Sequence, residues 1–481
     1  MTDDVPAIAA VGAYAPRFRI AAEEFREAWG QFHAAGVESK AVPDADEDAL
    51  TMAHEAATRA LDAADREGEE VAFLAFAATR PPLAESDLTV RLGGMLGVPD
   101  DATRHVFTGS TRAGTRALDA GLAAGPWGDG VGLVVAADCP RGEPDSDEEH
   151  AAGAGAAAFV LDAEGPATVT QRAEYASEYP GTRFRRTGDD ATEGLGVTTY
   201  DRQAFTEALA GAVEQLHGEG VEAVDAAAVQ APDGKLPYRA ASALGVDAAT
   251  IQECALVHEL GDTGAASVPL SLARALADGH ERVLAAAFGS GAGADALLVE
   301  SGDVPASLGL DGDESISYPE YLRKRGELTA GPPGGGGAYV SVPSWRRTLD
   351  QRHRLVAGRC PECGGLNFPP EGACTACTSL VEYEDVTLQG TGTVEASTTI
   401  SQGGAPPEFA EQQAESGDFG VVVVALDGPD GGQASAPAQV TGTDPGSLAV
   451  GDRVETTMRR IYTQEGVTRY GFKVRPSVDD A

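Results

Sequence analysis

Two phrases of nearly the same wording, "GAGAAAFVLD" at 153–162 and "GAGADALLVE" at 291–300, constrain this chain more than any other feature. A small-residue helix pattern and a strand precede each. The helix reads "TRAGTRALDAGLAAG" (111–125) before the first and "DTGAASVPLSLARALADG" (262–279) before the second. A matching order of helix, strand, loop and strand points to a duplicated α/β unit whose halves meet at a shared site. Apolar runs such as "VAFLAFAAT" and "VGLVVAADC" alternate with helical periodicity, the pattern of a sheet buried on both faces. The expected halves are 1–165 and 166–303.

Beyond residue 304 the pattern loosens. A short helix near "YPEYLRKRG" precedes "TAGPPGGGG", which cannot sustain a helix or a central strand and is expected to act as a linker, giving a segment 304–340. A helix in "SWRRTLDQRHRL" then leads into "CPECGGLNFPPEGACTAC", a segment 341–380. Its Cys360, Cys363, Cys374 and Cys377 offer two thiolates from each of two knuckles to one tetrahedral Zn2+. With no open position such a metal is structural. Two disulfides or a redox CxxC are the alternatives. Five short strand-like pieces from "VTLQGTGTVEASTTI" to "TRYGFKVRP" suggest a small all-β barrel over 381–481.

Seventy-five Asp and Glu against 35 Lys and Arg give a net charge of −40, spread along the whole chain. Such a surface suits a salty, halophilic cytoplasm, where ions screen its self-repulsion. It weighs against nucleic acid and against anionic membranes. Residues 341–481 carry eleven Lys and Arg against nineteen Asp and Glu, opposite to the balance of most phosphate-tracking barrels, so a nucleic-acid-binding module is the remote reading. The acidic start lacks the positive n-region of a signal peptide, and no apolar run reaches spanning length. A cytoplasmic location is expected.

The stretch "FTGSTRAGTRAL" (107–118) reads as a strand end, a small-residue loop and a helix start. Amides at a helix start favour an anion, and a cysteine there would become an acidic, nucleophilic thiol. The loop instead carries Ser110 and Thr111, alcohols that ionise far less readily.

Residues 1–300 resemble archaeal 3-hydroxy-3-methylglutaryl-CoA synthase, a member of the thiolase superfamily. The resemblance rests on "VGAYAPRFRIAAEEFREAWG", "DEDALTMAHEAATRAL", "STRAGTRAL", "APDGKLP", "GDTGAASVPLSLA" and "FGSGAGADAL", in that order. It implies a duplicated thiolase-like fold and a site that condenses acetyl-CoA with acetoacetyl-CoA through a glutamate, a cysteine and a histidine. Thr111 stands at the cysteine position and Gln230 at the histidine position. The glutamate position falls on Thr79 or Arg80, depending on one residue of register, and Asp262 replaces an asparagine. The Gly-rich floor of Gly289, Ser290 and Gly291 is kept. His258 lies near Asp262 in sequence and could form a relay with Thr111, or be a packed, hydrogen-bonded residue; Cys139 and Cys254 read as core.

From "YPEYLRKRG" to the end the chain resembles the DUF35 family, on "RCPECGGLNFPPEGACTAC" and "YGFKVRP". That resemblance implies a helical lead-in, a zinc ribbon and an OB-fold that accompany thiolase-fold proteins and share a CoA site. Arg183, Arg185 and Arg186 in "TRFRRTG", and Arg346 and Arg347 with Arg352 and Arg354, are candidate contacts for the phosphates of CoA or acyl-CoA. The expectation is therefore a pseudoenzyme. Its condensing centre has decayed, and it binds and passes acyl-CoA or scaffolds a partner thiolase, as a homodimer by superfamily analogy. An active acyltransferase of altered chemistry through Thr111 is the alternative.

Overall fold

Strands without a polar face build the larger part of the molecule. All eight residues of Val131–Asp138 (VGLVVAAD) are buried, while Val71–Ala78 and Arg282–Gly289 each leave one position partly exposed. Side chains alternate across a strand, so burial at every position requires cover on both faces. Helices α1 (Ala49–Ala63), α2 (Ala113–Ala124) and α3 (Ser267–Ala277) pack on the sheet and present mostly Ala, Leu and Val to it. The computed structural model describes residues 5–216, 223–328, 340–401 and 409–477, so the expected linker "TAGPPGGGG" lies outside the described residues. The chain divides into a unit of Met1–Pro43, Asp48–Gly93 and Gly97–Tyr321 and a unit of Asp44–Glu47, Gly94–Leu96 and Leu322–Ala481.

In the first unit the strands of the large sheet are β1 (Ala7–Tyr14), β2 (Val71–Ala78), β3 (Thr103–Thr108), β4 (Val131–Asp138), β5 (Gly155–Asp162), β6 (Ala167–Glu178), β7 (Ala226–Val229), β8 (Arg282–Gly289), β9 (Ala292–Ser301) and β10 (Ala306–Gly309). They form one sheet in the order β3-β2-β4-β5-β1-β6-β9-β8-β7, with β10 beside β1. The order is a duplication. In one half β2 runs parallel to β4, β4 antiparallel to β5, and β5 antiparallel to β1. In the other, β7 runs parallel to β8, β8 antiparallel to β9, and β9 antiparallel to β6. The halves join at the pair Ile8–Ala167. The two similar phrases of the sequence supply the equivalent strands β5 and β9, and α2 and α3 are the equivalent helices before β4 and β8.

The second unit begins, among the described residues, with helices α4 (Val342–Arg347) and α5 (Leu349–Arg354) after a short helical turn, and continues with a three-stranded sheet of β11 (Val356–Arg359), β12 (Leu366–Asn367) and β13 (Glu384–Thr387). Five antiparallel strands follow: β14 (Thr391–Ile400), β15 (Phe419–Asp427), β16 (Gln433–Gln439), β17 (Arg453–Gln464) and β18 (Val467–Pro476), in the order β16-β15-β14-β17-β18. The Thr441 N–H donates to the Val474 carbonyl at 2.9 Å, which brings the end of β16 to β18 and nearly closes a barrel. Val394, Val422, Val424, Leu426, Val454 and Val474 fill it, one inward residue per alternate position. No helix among the described residues is long and apolar enough to cross a membrane.

Candidate functional site

Parallel strands place their following loops at one end of a sheet, where open α/β folds gather ligands. Here Thr79 and Arg80 follow β2, Ser110 and Thr111 follow β3, Cys139 follows β4, Gln230 follows β7 and Ser290 follows β8. Hydrogen bonds lock these loops together. The Thr111 N–H donates to Ser290 Oγ at 3.1 Å, and the Ser290 N–H donates to Ser110 Oγ at 3.2 Å. Gly291 N–H donates to Thr182 Oγ1 at 3.2 Å, which ties the arginine-bearing loop 182–186 to the Gly-rich floor.

At the centre of the ring is a residue that the sequence did not flag. Asp138, fully buried, ends β4. Its Oδ2 accepts from the N–H groups of Thr79 at 2.8 Å and Ala265 at 2.9 Å, and its Oδ1 from those of Arg80 and Cys139, both at 3.1 Å. Gly264 is required beside it. Its φ is +55°, and a Cβ there would sit 2.3 Å from Asp138 Oδ2. A carboxylate closing an otherwise apolar, wholly buried strand was the one signal available in the sequence.

The positions carried over from the family resemblance are within this ring, each engaged with the backbone. Thr111, 5% exposed, donates its hydroxyl to the Phe288 carbonyl at 2.5 Å and accepts a long bond from Ser290 Oγ at 3.4 Å. Among the described residues no carboxylate, imidazole or amine bonds to it. Gln230, 1% exposed, donates through Nε2 to the Gly264 carbonyl at 3.0 Å, and its Oε1 is buried with no donor among the described residues. Asp262 accepts from the Gly264 N–H at 2.9 Å through Oδ1 and pairs through Oδ2 with Arg183. A space of about 10 Å3 lined by Val229, Ala231, Tyr238, Ile251, Thr263 and Ser267 is enough for one water, and Gln230 is not part of its lining.

The remaining candidates divide. His258 turns away from Asp262: Nε2 bonds with the Tyr238 hydroxyl at 2.7 Å and Nδ1 with the Gly36 carbonyl at 2.6 Å, so both ring nitrogens are taken and no relay to Thr111 forms. Burial pushes the Cys139 thiol up to about 11 and that of Cys254 up to about 12, so neither is a thiolate near neutral pH. Arg185 Nη2 donates to the Thr79 carbonyl at 2.9 Å, and exposed Arg186 pairs with Glu193 at 2.8 Å. In the second unit Arg346 and Arg347 are exposed on α4; Arg347 Nη2 donates to Ser344 Oγ at 3.2 Å.

The cysteine knuckles match one another bond for bond. Gly364 N–H donates to the Cys360 carbonyl and Thr378 N–H to the Cys374 carbonyl, both at 2.8 Å; Cys360 N–H donates to Gly365 and Cys374 N–H to Ser379, both at 2.9 Å. Gly364 and Thr378 both have positive φ, +75° and +64°, which lets each turn reverse after its second cysteine. All four Sγ atoms lie within 4.8 Å of one another, with Cys360–Cys377 at 3.7 Å and Cys363–Cys374 at 3.6 Å. A tetrahedron with Zn–S bonds of about 2.3 Å has edges of about 3.8 Å, whereas a disulfide needs about 2.05 Å. The donor set and spacing fit a metal.

Known proteins share the fold of both parts of the chain. The family model for the ChsH2 rubredoxin-like zinc ribbon domain matches residues 347–381, and that for the ChsH2 C-terminal OB-fold domain matches 385–459. The hydroxymethylglutaryl-CoA synthase of Archaeoglobus fulgidus is 33% identical over 348 residues, covering 67% of this chain and 99% of that protein. Among solved structures, MvaS in complex with 3-hydroxy-3-methylglutaryl coenzyme A aligns with a TM-score of 0.57 and 20% identity, over 69% of this chain and 94% of its own. The 3-oxoacyl-[acyl-carrier-protein] synthase III of Aquifex aeolicus VF5 aligns with a TM-score of 0.54 and 18% identity, over 61% of this chain and 99% of its own. The fold is thiolase-like, followed by a zinc ribbon and an OB-fold.

Proposed function

Because the chain belongs, over the two thirds that align, to the hydroxymethylglutaryl-CoA synthase family, we propose that it binds acyl-CoA without carrying out that family's condensation. It passes the thioester on, or scaffolds a partner thiolase, through its fused ribbon and OB module. The observation that carries this reading is the Thr111 hydroxyl. It is committed to a backbone carbonyl, with no base among its hydrogen-bond partners in the described residues. An acid/base group at such a centre is typically worth 10²–10⁴-fold, and Gln230 cannot move a proton. The buried, undonated Oε1 of Gln230 remains an acceptor for a ligand N–H or O–H.

Cys360, Cys363, Cys374 and Cys377 hold one structural Zn2+, which fixes the ribbon. The edge strand β3, with residues exposed or partly exposed along its length, suits pairing with a second copy, as a homodimer requires. Titration calorimetry of the full chain with CoA and acetyl-CoA, in concentrated KCl, tests the ligand: measurable, saturable binding of both is expected, and no heat with either rejects it. Co-purification with a thiolase separates scaffold from lone protein.

A further inference from the structure

The loop at the family's glutamate position carries positive rather than negative charge. Arg80, on that loop, has its backbone fixed by Asp138 and makes no side-chain hydrogen bond among the described residues; its one ion pair is to Asp190 at 3.7 Å, a carboxylate 86% exposed. Arg185 spends one donor on the Thr79 carbonyl and pairs with no carboxylate among the described residues. Arg183, by contrast, is neutralised by Asp262. The nearby Asp138 cannot serve as counter-ion through hydrogen bonds, because four backbone N–H groups occupy its two oxygens.

Each guanidinium has five N–H donors, so the pair retains most of its donors for a ligand. Burial first, then the Arg80 charge, lowers the pKa of Arg185, opposed by the carboxylates of Asp138 and Asp190. Arg185 reaches the Thr79 carbonyl, one residue before Arg80, so two cations meet at one loop in a chain of net charge −40 and favour an anion there.

We propose that Arg80 and Arg185 form an oxyanion subsite that receives a carboxylate at the far end of the acyl chain of a bound thioester. The subsite rests on the reading that this fold binds acyl-CoA. A carboxylate is favoured over a CoA phosphate because Arg80 and Arg185 sit on the ring of loops that holds Thr111 and Gln230, where the acyl group rather than the nucleotide belongs. The ligand class is a dicarboxylic acyl thioester.

Calorimetry on the full chain with succinyl-CoA, butyryl-CoA and 3′,5′-ADP tests this. Succinyl-CoA is expected to bind about tenfold or more tighter than butyryl-CoA, in keeping with a charge-assisted contact. Arg80→Gln and Arg185→Gln should erase that preference, weakening succinyl-CoA about tenfold more than they weaken butyryl-CoA. Arg80→Lys, which keeps the charge, should retain part of it and controls for folding. Equal affinity for the two thioesters overturns the subsite while leaving acyl-CoA binding intact. Arginine substitutions that weaken succinyl-CoA, butyryl-CoA and 3′,5′-ADP alike assign the pair to a phosphate and also overturn it. Failure of all three ligands to bind removes the underlying reading and the subsite with it.

Discussion

Single side chains decide how this centre behaves, and the ones that matter are those whose partners lie far away in sequence. Arg183 reads in isolation as a phosphate contact. Its carboxylate, Asp262, is 79 positions on, and only the fold brings them together. His258 reads as a neighbour of Asp262, yet the short helix Val257–Leu260 turns its ring to Tyr238 and Gly36. His150 has a measurable consequence. It is fully buried and accepts the His33 N–H at Nδ1, at 2.9 Å. Burial, followed by the charges of Lys40 and His33 and opposed by Asp145 and Asp147, pulls its pKa down to about 4. The folded state therefore binds fewer protons than the unfolded one between pH 4 and 6.5. This contribution is fully present above 6.5 and is lost as the pH falls towards 4, amounting to about 3 kcal/mol. Urea unfolding at pH 7 and pH 5 should show about 2 kcal/mol of this loss in the wild type and a much smaller one in His150→Gln. Equal losses would remove His150 from the explanation.

Segments were more legible than sites. The repeated phrases became β5 and β9, and the apolar runs became β2 and β4, because full burial leaves a plain hydrophobic signature. The four cysteines became two matched knuckles, because metal-ligand spacing is local in sequence. Asp138 escaped notice for the opposite reason. An aspartate after a strand looks like a turn residue, and its four N–H partners come from three separate loops. Asp138→Ala would leave those amides unpaired in the interior and should destabilise the first unit by about 3 kcal/mol or more, measured by denaturant unfolding. A change below about 1 kcal/mol would mean that water replaces the carboxylate. In the ribbon, metal analysis should find one zinc per chain. Chelation, or Cys374→Ser, should unfold residues around the knuckles, read by hydrogen exchange, while the strands β1 to β9 keep their protection. Full protection of the ribbon after zinc removal would contradict a structural metal.

Charge acts on the chain as a body. With 75 acidic against 35 basic residues, the folded state carries a self-repulsion that salt relieves. The melting temperature should rise steadily as KCl is raised from dilute buffer to molar concentration, and a flat or falling curve would show that the charges are already compensated. The same excess makes local cations informative: Arg80, held only by a long pair to the exposed Asp190, and Arg185, bonded to a backbone carbonyl, mark where an anion is wanted.

The proposed loss of the condensing chemistry at Thr111 can be tested without knowing the natural acyl group. Incubating the purified chain with acetyl-CoA and acetoacetyl-CoA, and following free CoA alongside intact protein mass, reports both acyl transfer and covalent capture. An unchanged mass and no CoA release above the protein-free control are expected, for the wild type and for Thr111→Ala alike. An acyl adduct or steady CoA release that disappears in Thr111→Ala would show that the alcohol is a working nucleophile and that the centre is still catalytic.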